Sequence, residues 1–285
     1  MTGYLRPSSL AEALAARRDH PDWVILCGGT DLLVSAPARP EPAGLIDLFG
    51  MAPLVGVEPG EDGGVVIRAA TTYWDLIASP LAQRDLPALV AAAREVGALQ
   101  IQARGTIGGN IGTSSPVGDT LPVLLALDAE LALASTRGVR TVPYARFCTG
   151  YRQTALAADE LIVAVSVPAQ PPGTRQLWRK VGTRRAQSIS KVMVAAALRV
   201  EGGVIASARI GLGAVADRPI RAHATEAAIV GQPATEATAD RARAALAGEL
   251  HPIDDVRSTA DYRLGVAQNV VARFIVSLGE EALPT

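Results

Sequence analysis

The chain has 285 residues, of which 49% are hydrophobic, and its formal net charge is −1 at pH 7. Binding to nucleic acid or to anionic membranes is disfavoured, because both need a basic surplus that this chain lacks. No apolar stretch reaches the length of a membrane span, and the first twenty residues lack a cationic-then-apolar leader pattern. We therefore expect a globular cytoplasmic protein with no membrane span and no nucleic-acid partner.

The first predicted domain, residues 1–53, has the pattern of a small α/β unit. Ser9-Leu10-Ala11-Glu12 is a capping box, which predicts a helix over residues 9–18. Apolar runs predict short strands over residues 23–26 and 45–47. A glycine loop, Cys27-Gly28-Gly29-Thr30-Asp31, follows the first of these strands, and the prolines Pro37, Pro40 and Pro42 predict irregular structure after it.

The second predicted domain, residues 54–170, is a mixed α+β unit. Hairpins are predicted for residues 54–69 and 131–142, because turn residues separate apolar runs in both. Helices are predicted over residues 72–79 and 87–96 and again after Asp119-Thr120-Leu121-Pro122, and a strand over residues 161–167. Residues 147–154 are predicted to form a loop.

The third predicted domain, residues 171–285, follows the proline-rich linker at residues 168–173. Strands are predicted over residues 175–181, 192–200 and 204–215, and helices over residues 222–230, 235–250 and 258–278. The expected arrangement is a three-stranded antiparallel sheet covered by helices.

A second glycine-rich segment, Arg104-Gly105-Thr106-Ile107-Gly108-Gly109-Asn110-Ile111-Gly112-Thr113, lies at the centre of the second domain. As a turn, it would direct several backbone N–H groups at one point, which is a geometry that binds phosphate. Most glycine-rich turns bind nothing, but the loop at residues 27–31 provides a second segment of the same kind. Two such loops suit a ligand with two phosphates, and so the sequence favours a dinucleotide.

Several other chemistries are disfavoured by the residues. The first loop does not match G-x-G-x-x-G, and a proline-rich stretch rather than a helix is expected after it, so a Rossmann site is not predicted. Cys27 and Cys148 form no C-x-x-C motif, which argues against a cysteine-ligated cluster in this chain. The three histidines are scattered, and we predict neither a metal site nor a Ser-His-Asp triad. A bound redox cofactor is favoured over catalysis by side chains.

The two glycine motifs resemble those of the FAD-binding medium subunit of molybdenum hydroxylases, the xanthine dehydrogenase and carbon monoxide dehydrogenase family. The resembling residues are Gly28-Gly29-Thr30-Asp31 and Thr106-Ile107-Gly108-Gly109-Asn110, with Asp119 nine residues further on. The resemblance continues in Gly150-Tyr151-Arg152, in Lys180-Val181-Gly182-Thr183-Arg184-Arg185-Ala186 and in Asp255-Val256-Arg257-Ser258. It therefore covers nearly the whole chain, in the order that the family shows.

This resemblance implies an α+β fold of the vanillyl-alcohol-oxidase type with two FAD-binding subdomains, followed by the three-stranded domain. It implies that FAD contacts Ile25, Leu26, Cys27, Gly28, Gly29, Thr30 and Asp31 of the first loop and Gly105, Thr106, Ile107, Gly108, Gly109, Asn110 and Thr113 of the second. Asp119 is expected to bind the ribityl or adenosine part, and Ile162 and Lys180 to lie near the isoalloxazine ring. The structural alternatives are a helix-capping or surface carboxylate at Asp119 and a solvated strand lysine at Lys180.

The function implied by the resemblance is that of an oxidoreductase subunit without a catalytic side chain of its own. A large partner subunit would hold the molybdopterin cofactor, and a small partner would hold two [2Fe–2S] clusters that pass electrons to FAD. The external acceptor would be NAD, a quinone or dioxygen, and the assembly a dimer of heterotrimers. Two alternatives stay open at this point: a self-sufficient FAD-dependent oxidase, and a non-catalytic nucleotide-binding assembly module.

Overall fold

A computed structural model describes residues 3–35, 40–184 and 187–280 of the chain. Pro37, where irregular structure is predicted, and Arg185 and Ala186 of the lysine-containing motif lie outside the described residues.

The N-terminal part forms a three-stranded parallel sheet. Its elements are β1 (Gly3–Leu5), α1 (Leu10–Asp19), β2 (Val24–Leu26), α2 (Leu32–Ser35) and β3 (Gly44–Asp47), with strand order β1-β3-β2. The Ser9 half of the predicted capping box is confirmed, since the side chain of Ser9 accepts a hydrogen bond from the Glu12 N–H, whereas the Glu12 carboxylate accepts from the N–H and hydroxyl groups of Ser8. The prediction that no helix follows the first glycine loop is wrong, because α2 begins directly after Asp31. It is a single turn, too short for periodicity to reveal.

The central part is built around a five-stranded antiparallel sheet with strand order β4-β5-β10-β6-β7. Its strands are β4 (Val57–Pro59), β5 (Val65–Arg68), β6 (Glu130–Ser135), β7 (Gly138–Pro143) and β10 (Leu161–Val167). Its helices are α3 (Tyr73–Ala78), α4 (Pro80–Asp85), α5 (Pro87–Arg94), α6 (Leu99–Gln102), α7 (Ile107–Thr113) and α8 (Leu121–Ala126). Leucine, valine and alanine side chains of α5 and α8 pack against one face of this sheet and form the largest core cluster.

The prediction of an irregular loop over residues 147–154 is wrong in part. The segment forms a small hairpin of two strands, β8 (Cys148–Gly150) and β9 (Gln153–Thr154). The strands are three and two residues long, so they leave no alternation of apolar and polar residues from which a hairpin could be predicted.

The C-terminal part has the three predicted long strands and a fourth, short one that the sequence analysis missed. The strands are β11 (Arg175–Val181), β12 (Val192–Glu201), β13 (Val204–Gly213) and β14 (Ile220–Arg221), antiparallel and in that order. The three predicted helices are confirmed as α9 (His223–Ile229), α10 (Glu236–Glu249) and α11 (Ala260–Glu280). None of the described helices combines the length and apolar character needed to cross a membrane.

Strand β12 joins two cores because its side chains alternate between the two faces of the sheet. Val192, Val194 and Leu198 pack toward the C-terminal helices, whereas Ala195 and Ala197 belong to the core of the central part. Each of the three main sheets takes its strands from one of the predicted segments 1–53, 54–170 and 171–285. The domain division at those boundaries stays a prediction.

Candidate functional site

The two glycine segments meet at one cavity of about 660 Å³ between the N-terminal sheet, α7 and β10. Most of the predicted site residues line it: Ile25, Cys27, Gly28, Gly29, Thr30, Asp31, Gly105, Thr106, Gly108, Gly109, Asn110, Thr113 and Ile162. The volume lies within the range of about 300–1,000 Å³ that is usual for small-molecule and cofactor sites. Segments almost eighty residues apart in the chain thus form a single binding space.

The first glycine loop follows β2 and is pressed against the second segment. A Cβ atom on Gly28 would lie 1.9 Å from the carbonyl oxygen of Arg104, so only glycine permits this backbone approach. Gly29 has φ +75°, the left-handed region that glycine adopts without strain. The N–H groups of Gly29 and Thr30 donate to no other described residue, and both residues line the cavity. This loop therefore offers two free donors to a ligand.

The second segment is a helix, α7, and the prediction of an open turn with converging N–H groups is wrong. Thr106 caps the helix, with its hydroxyl accepting from the Gly109 N–H at 3.2 Å. The N–H of Ile107 donates to Thr71, and that of Gly108 donates to Ala69. Since these donors already have partners, the segment contributes a close-packed wall rather than a phosphate nest.

Two glycines of α7 have different surroundings, one close-packed and one open to the cavity. A Cβ on Gly108 would lie 2.6 Å from the carbonyl oxygen of Ala69, so a side chain at this position would clash with the backbone of the neighbouring segment. A Cβ on Gly112 would meet only the Ile162 side chain, at 3.7 Å. Ile162 lies at a bulge in the pairing of β10 with β6, and such bulges redirect side chains.

The cavity has an apolar portion to which Leu48, Leu54, Leu156 and Ile162 contribute. Cys27 also lines it, and burial raises the pKa of its thiol, with a smaller opposing effect from a hydrogen bond to Thr106. The thiol is therefore neutral near pH 7 and acts as a small, mainly apolar side chain.

Four predicted residues do not line the cavity: Leu26, Ile107, Asp119 and Lys180. Leu26 lies within β2, where its carbonyl oxygen accepts from the Leu48 N–H. Ile107 is buried in the central core. Their contact with FAD stays a prediction.

Asp119 and Lys180 form a buried ion pair with each other. Lys180 Nζ lies 2.8 Å from a carboxylate oxygen of Asp119, and the side chains are 6% and 11% exposed, respectively. Ser190 Oγ donates to the other carboxylate oxygen at 2.7 Å. Burial raises the pKa of Asp119, and the positive charge of Lys180 opposes that shift. Neither structural alternative is correct, since Thr120 is the N-terminal flanking residue of α8 and Lys180 is not solvated.

Two charged residues of the cavity were not predicted as site residues. Arg152, in the turn between β8 and β9, pairs with Asp31 of the first loop. Glu160 is 4% exposed and pairs with Arg140 at 2.6 Å, which lowers the pKa of its carboxyl. Arg152 belongs to the Gly150-Tyr151-Arg152 motif that resembles the family, so a signal for it was present in the sequence.

Two parts of the chain match models of known protein families. Residues 1–170 match the family described as "FAD binding domain in molybdopterin dehydrogenase", and residues 178–278 match "CO dehydrogenase flavoprotein C-terminal domain". The chain belongs to this flavoprotein family. The resemblance and the fold class expected from the sequence are thereby confirmed, and with them an FAD-binding oxidoreductase subunit of the molybdenum hydroxylase class.

Relatives match the flavoprotein over almost its full length. The xanthine dehydrogenase FAD-binding subunit of Escherichia coli O157:H7 is 33% identical over 276 residues, covering 95% of this chain and 94% of that protein. The carbon monoxide dehydrogenase medium chain of Hydrogenophaga pseudoflava is 33% identical, with 95% and 94% covered. A solved carbon monoxide dehydrogenase structure from Hydrogenophaga pseudoflava superposes with a TM-score of 0.91, at 34% identity and 95% coverage of each chain.

The geometry of the cavity is suited to FAD. Free N–H groups of the first loop suit a diphosphate, the apolar portion suits a planar ring, and the open side of Gly112 leaves room for a ligand. Among the described residues, no three His, Cys, Asp or Glu side chains come together in a group that could hold a metal ion.

Proposed function

We propose that this chain is the flavin subunit of a three-subunit molybdenum hydroxylase. When bound, FAD would supply the redox chemistry that takes electrons from two [2Fe–2S] clusters of a small partner subunit to NAD, a quinone or dioxygen. A large partner subunit would hold the molybdopterin cofactor and the substrate. The observation that carries the proposal is the cavity formed by both glycine segments in a chain that matches the family over residues 1–170 and 178–278.

The residues of this chain would bind and orient the cofactor rather than transfer protons. Gly29 and Thr30 would donate their free N–H groups to the diphosphate, while Gly109, Gly112 and Ile162 would provide the surface against which the rest of FAD packs. An apolar enclosure of this kind excludes water and strengthens the effect of each fixed dipole on the bound ring. No general base is required of the chain.

The first experiment is the absorption spectrum of the chain purified with its partner subunits, followed by acid extraction of the chromophore. Flavin bands and released FAD are expected. Gly112→Val should reduce the bound FAD, because its side chain would extend toward the ligand. Gly265→Val is the matched control, since Gly265 lies on α11 with open space around its Cβ. A complex that contains no flavin and gains none on incubation with FAD would refute the proposal.

The position in the electron path is tested by anaerobic reduction. Flavin reduction by substrate only in the presence of both partner subunits supports the proposed role, whereas reduction in the isolated chain favours the self-sufficient oxidase. A chain that binds nucleotides but carries no reducible flavin favours the assembly module. Mixing the reduced complex separately with NAD, a quinone and dioxygen would identify the acceptor. The molecular mass of the complex in solution would test the proposed dimer of heterotrimers. Fractionation would test the proposed cytoplasmic location.

A further inference from the structure

The cavity combines two carboxylates with one cation. Of the described residues that line it, Asp31 and Glu160 are acidic, and Arg152 is the only Lys, Arg or His. Glu160 is already neutralised by Arg140, which does not line the cavity. A ligand with a negatively charged diphosphate would therefore find a single positive side chain in the described wall.

Arg152 is held at a defined position by an unusual backbone and by Asp31. It occupies the turn of the β8–β9 hairpin with φ +52°, a left-handed conformation that non-glycine residues rarely adopt. Its two terminal nitrogens lie 3.0 and 3.2 Å from the two carboxylate oxygens of Asp31. The pair joins the hairpin to the first glycine loop across 121 positions of sequence.

The pair leaves donors available at the end of the cavity where a phosphate would be expected. A guanidinium has five N–H groups, and a bidentate carboxylate uses two of them. Asp31 directly follows Gly29 and Thr30, whose backbone N–H groups are free. The side chains of Arg152 and Asp31 are 33% and 40% exposed, so they lie at the solvent side of the cavity rather than in its interior.

We propose that Arg152 binds the diphosphate of the dinucleotide and that Asp31 is a positioning residue for its guanidinium. Guanidinium groups pair with phosphate oxygens through short charge-assisted hydrogen bonds, and the free N–H groups of Gly29 and Thr30 complete an anion site on the same side of the cavity. The proposal rests on the proposed function, because it takes FAD as the ligand.

The test measures FAD dissociation constants with the deflavinated complex of the full chain and its partners. Arg152→Gln is expected to weaken FAD binding about 10- to 100-fold, the equivalent of losing one charge-assisted hydrogen-bonded contact. It should also flatten the dependence of the dissociation constant on salt, because one ionic contact is lost. Arg152→Lys should recover part of both effects. Arg137→Gln is the matched control, since Arg137 pairs with Asp159 outside the cavity and should leave FAD binding unchanged.

Asp31→Asn should weaken FAD binding less than Arg152→Gln does and should not flatten the salt dependence, because the cation remains. An unchanged dissociation constant in Arg152→Gln would overturn the proposal. A larger dissociation constant in Arg152→Gln with an unaltered salt dependence would also overturn it, since that result indicates a structural role only. Failure of the wild-type complex to bind FAD would refute the proposed function instead, so the two failures are distinguishable.

Discussion

The buried pair of Lys180 and Asp119 gives a quantitative prediction about stability. Their charged atoms lie 2.8 Å apart, both side chains are at least 89% buried, and Lys180 also donates to the carbonyl oxygen of Glu95 at 3.2 Å. Removing one partner of such a pair leaves an uncompensated buried charge and costs about 3–5 kcal/mol. We expect Lys180→Met to lower the melting temperature by roughly 6–20 °C, at about 2–4 °C per kcal/mol for a chain of this size.

The effect of Lys180→Met should depend on pH in a direction fixed by Asp119. Burial raises the pKa of Asp119, so the folded state binds that proton more tightly than the unfolded chain does. The resulting contribution to stability is greatest below about pH 3.9, the usual pKa of Asp, and is lost as pH rises through the folded-state pKa. Without Lys180 the pKa rises further, and the gap between wild type and variant should widen with increasing pH.

The assay is thermal unfolding of wild type, Lys180→Met, Asp119→Asn and the double variant Lys180→Met/Asp119→Leu at about pH 5 and about pH 8. The double variant should recover most of the loss, because replacing both charges by apolar groups leaves no lone charge. The reasoning is refuted if Lys180→Met changes stability by less than about 1 kcal/mol, or if its gap from wild type narrows at higher pH.

Three further predictions concern Gly28, Gly265 and the ion pair of Arg140 with Glu160. Gly28→Ala should weaken FAD binding more than tenfold or prevent folding, because its Cβ would overlap the Arg104 carbonyl; equilibrium binding and circular dichroism separate the two results. Gly265→Ala, in open space on α11, should raise stability by about 0.8–1.0 kcal/mol in urea unfolding, and a loss would contradict the helix-propensity argument. Arg140→Gln should cost about 1–2 kcal/mol, less than a fully buried pair because Arg140 is 46% exposed. Since the pKa of Glu160 is lowered, that pair stabilises the fold above the unfolded pKa of about 4.3 and loses its effect as pH falls, so the variant and wild type should converge in acid.

Much of the fold could be predicted from local signals. Ser9 capped α1 as expected, and the glycine turn at residues 202–203 separates β12 from β13. The cofactor cavity was also predictable in outline, because two glycine segments of the same kind indicated one shared ligand. The conformation of the second segment was not predictable in this way. Glycine disfavours helix by about 1 kcal/mol per residue, and what stabilises α7 is the Thr106 cap and close packing on Ala69.

The missed features of the site depend on contacts between distant residues. Arg152 meets Asp31 across 121 positions, and Lys180 meets Asp119 across 61. Nothing in the spacing of either pair indicates that the side chains approach each other. For Lys180, the sequence left a choice between a cofactor contact and a solvated strand residue, and the observed buried pair is a third arrangement.

The cavity wall that follows α7 is held by the C-terminal sheet. Ser115, Val117 and Gly118 line the cavity. The Ala214 N–H donates to the carbonyl oxygen of Pro116 at 2.8 Å, and Trp178 Nε1 donates to the carbonyl oxygen of Asp119 at 3.3 Å. Lys180 pairs with the carboxylate of the same Asp119. Because these contacts come from β11 and from the residue after β13 rather than from the central sheet, a substitution in the C-terminal part can shift the cavity wall without touching the ligand.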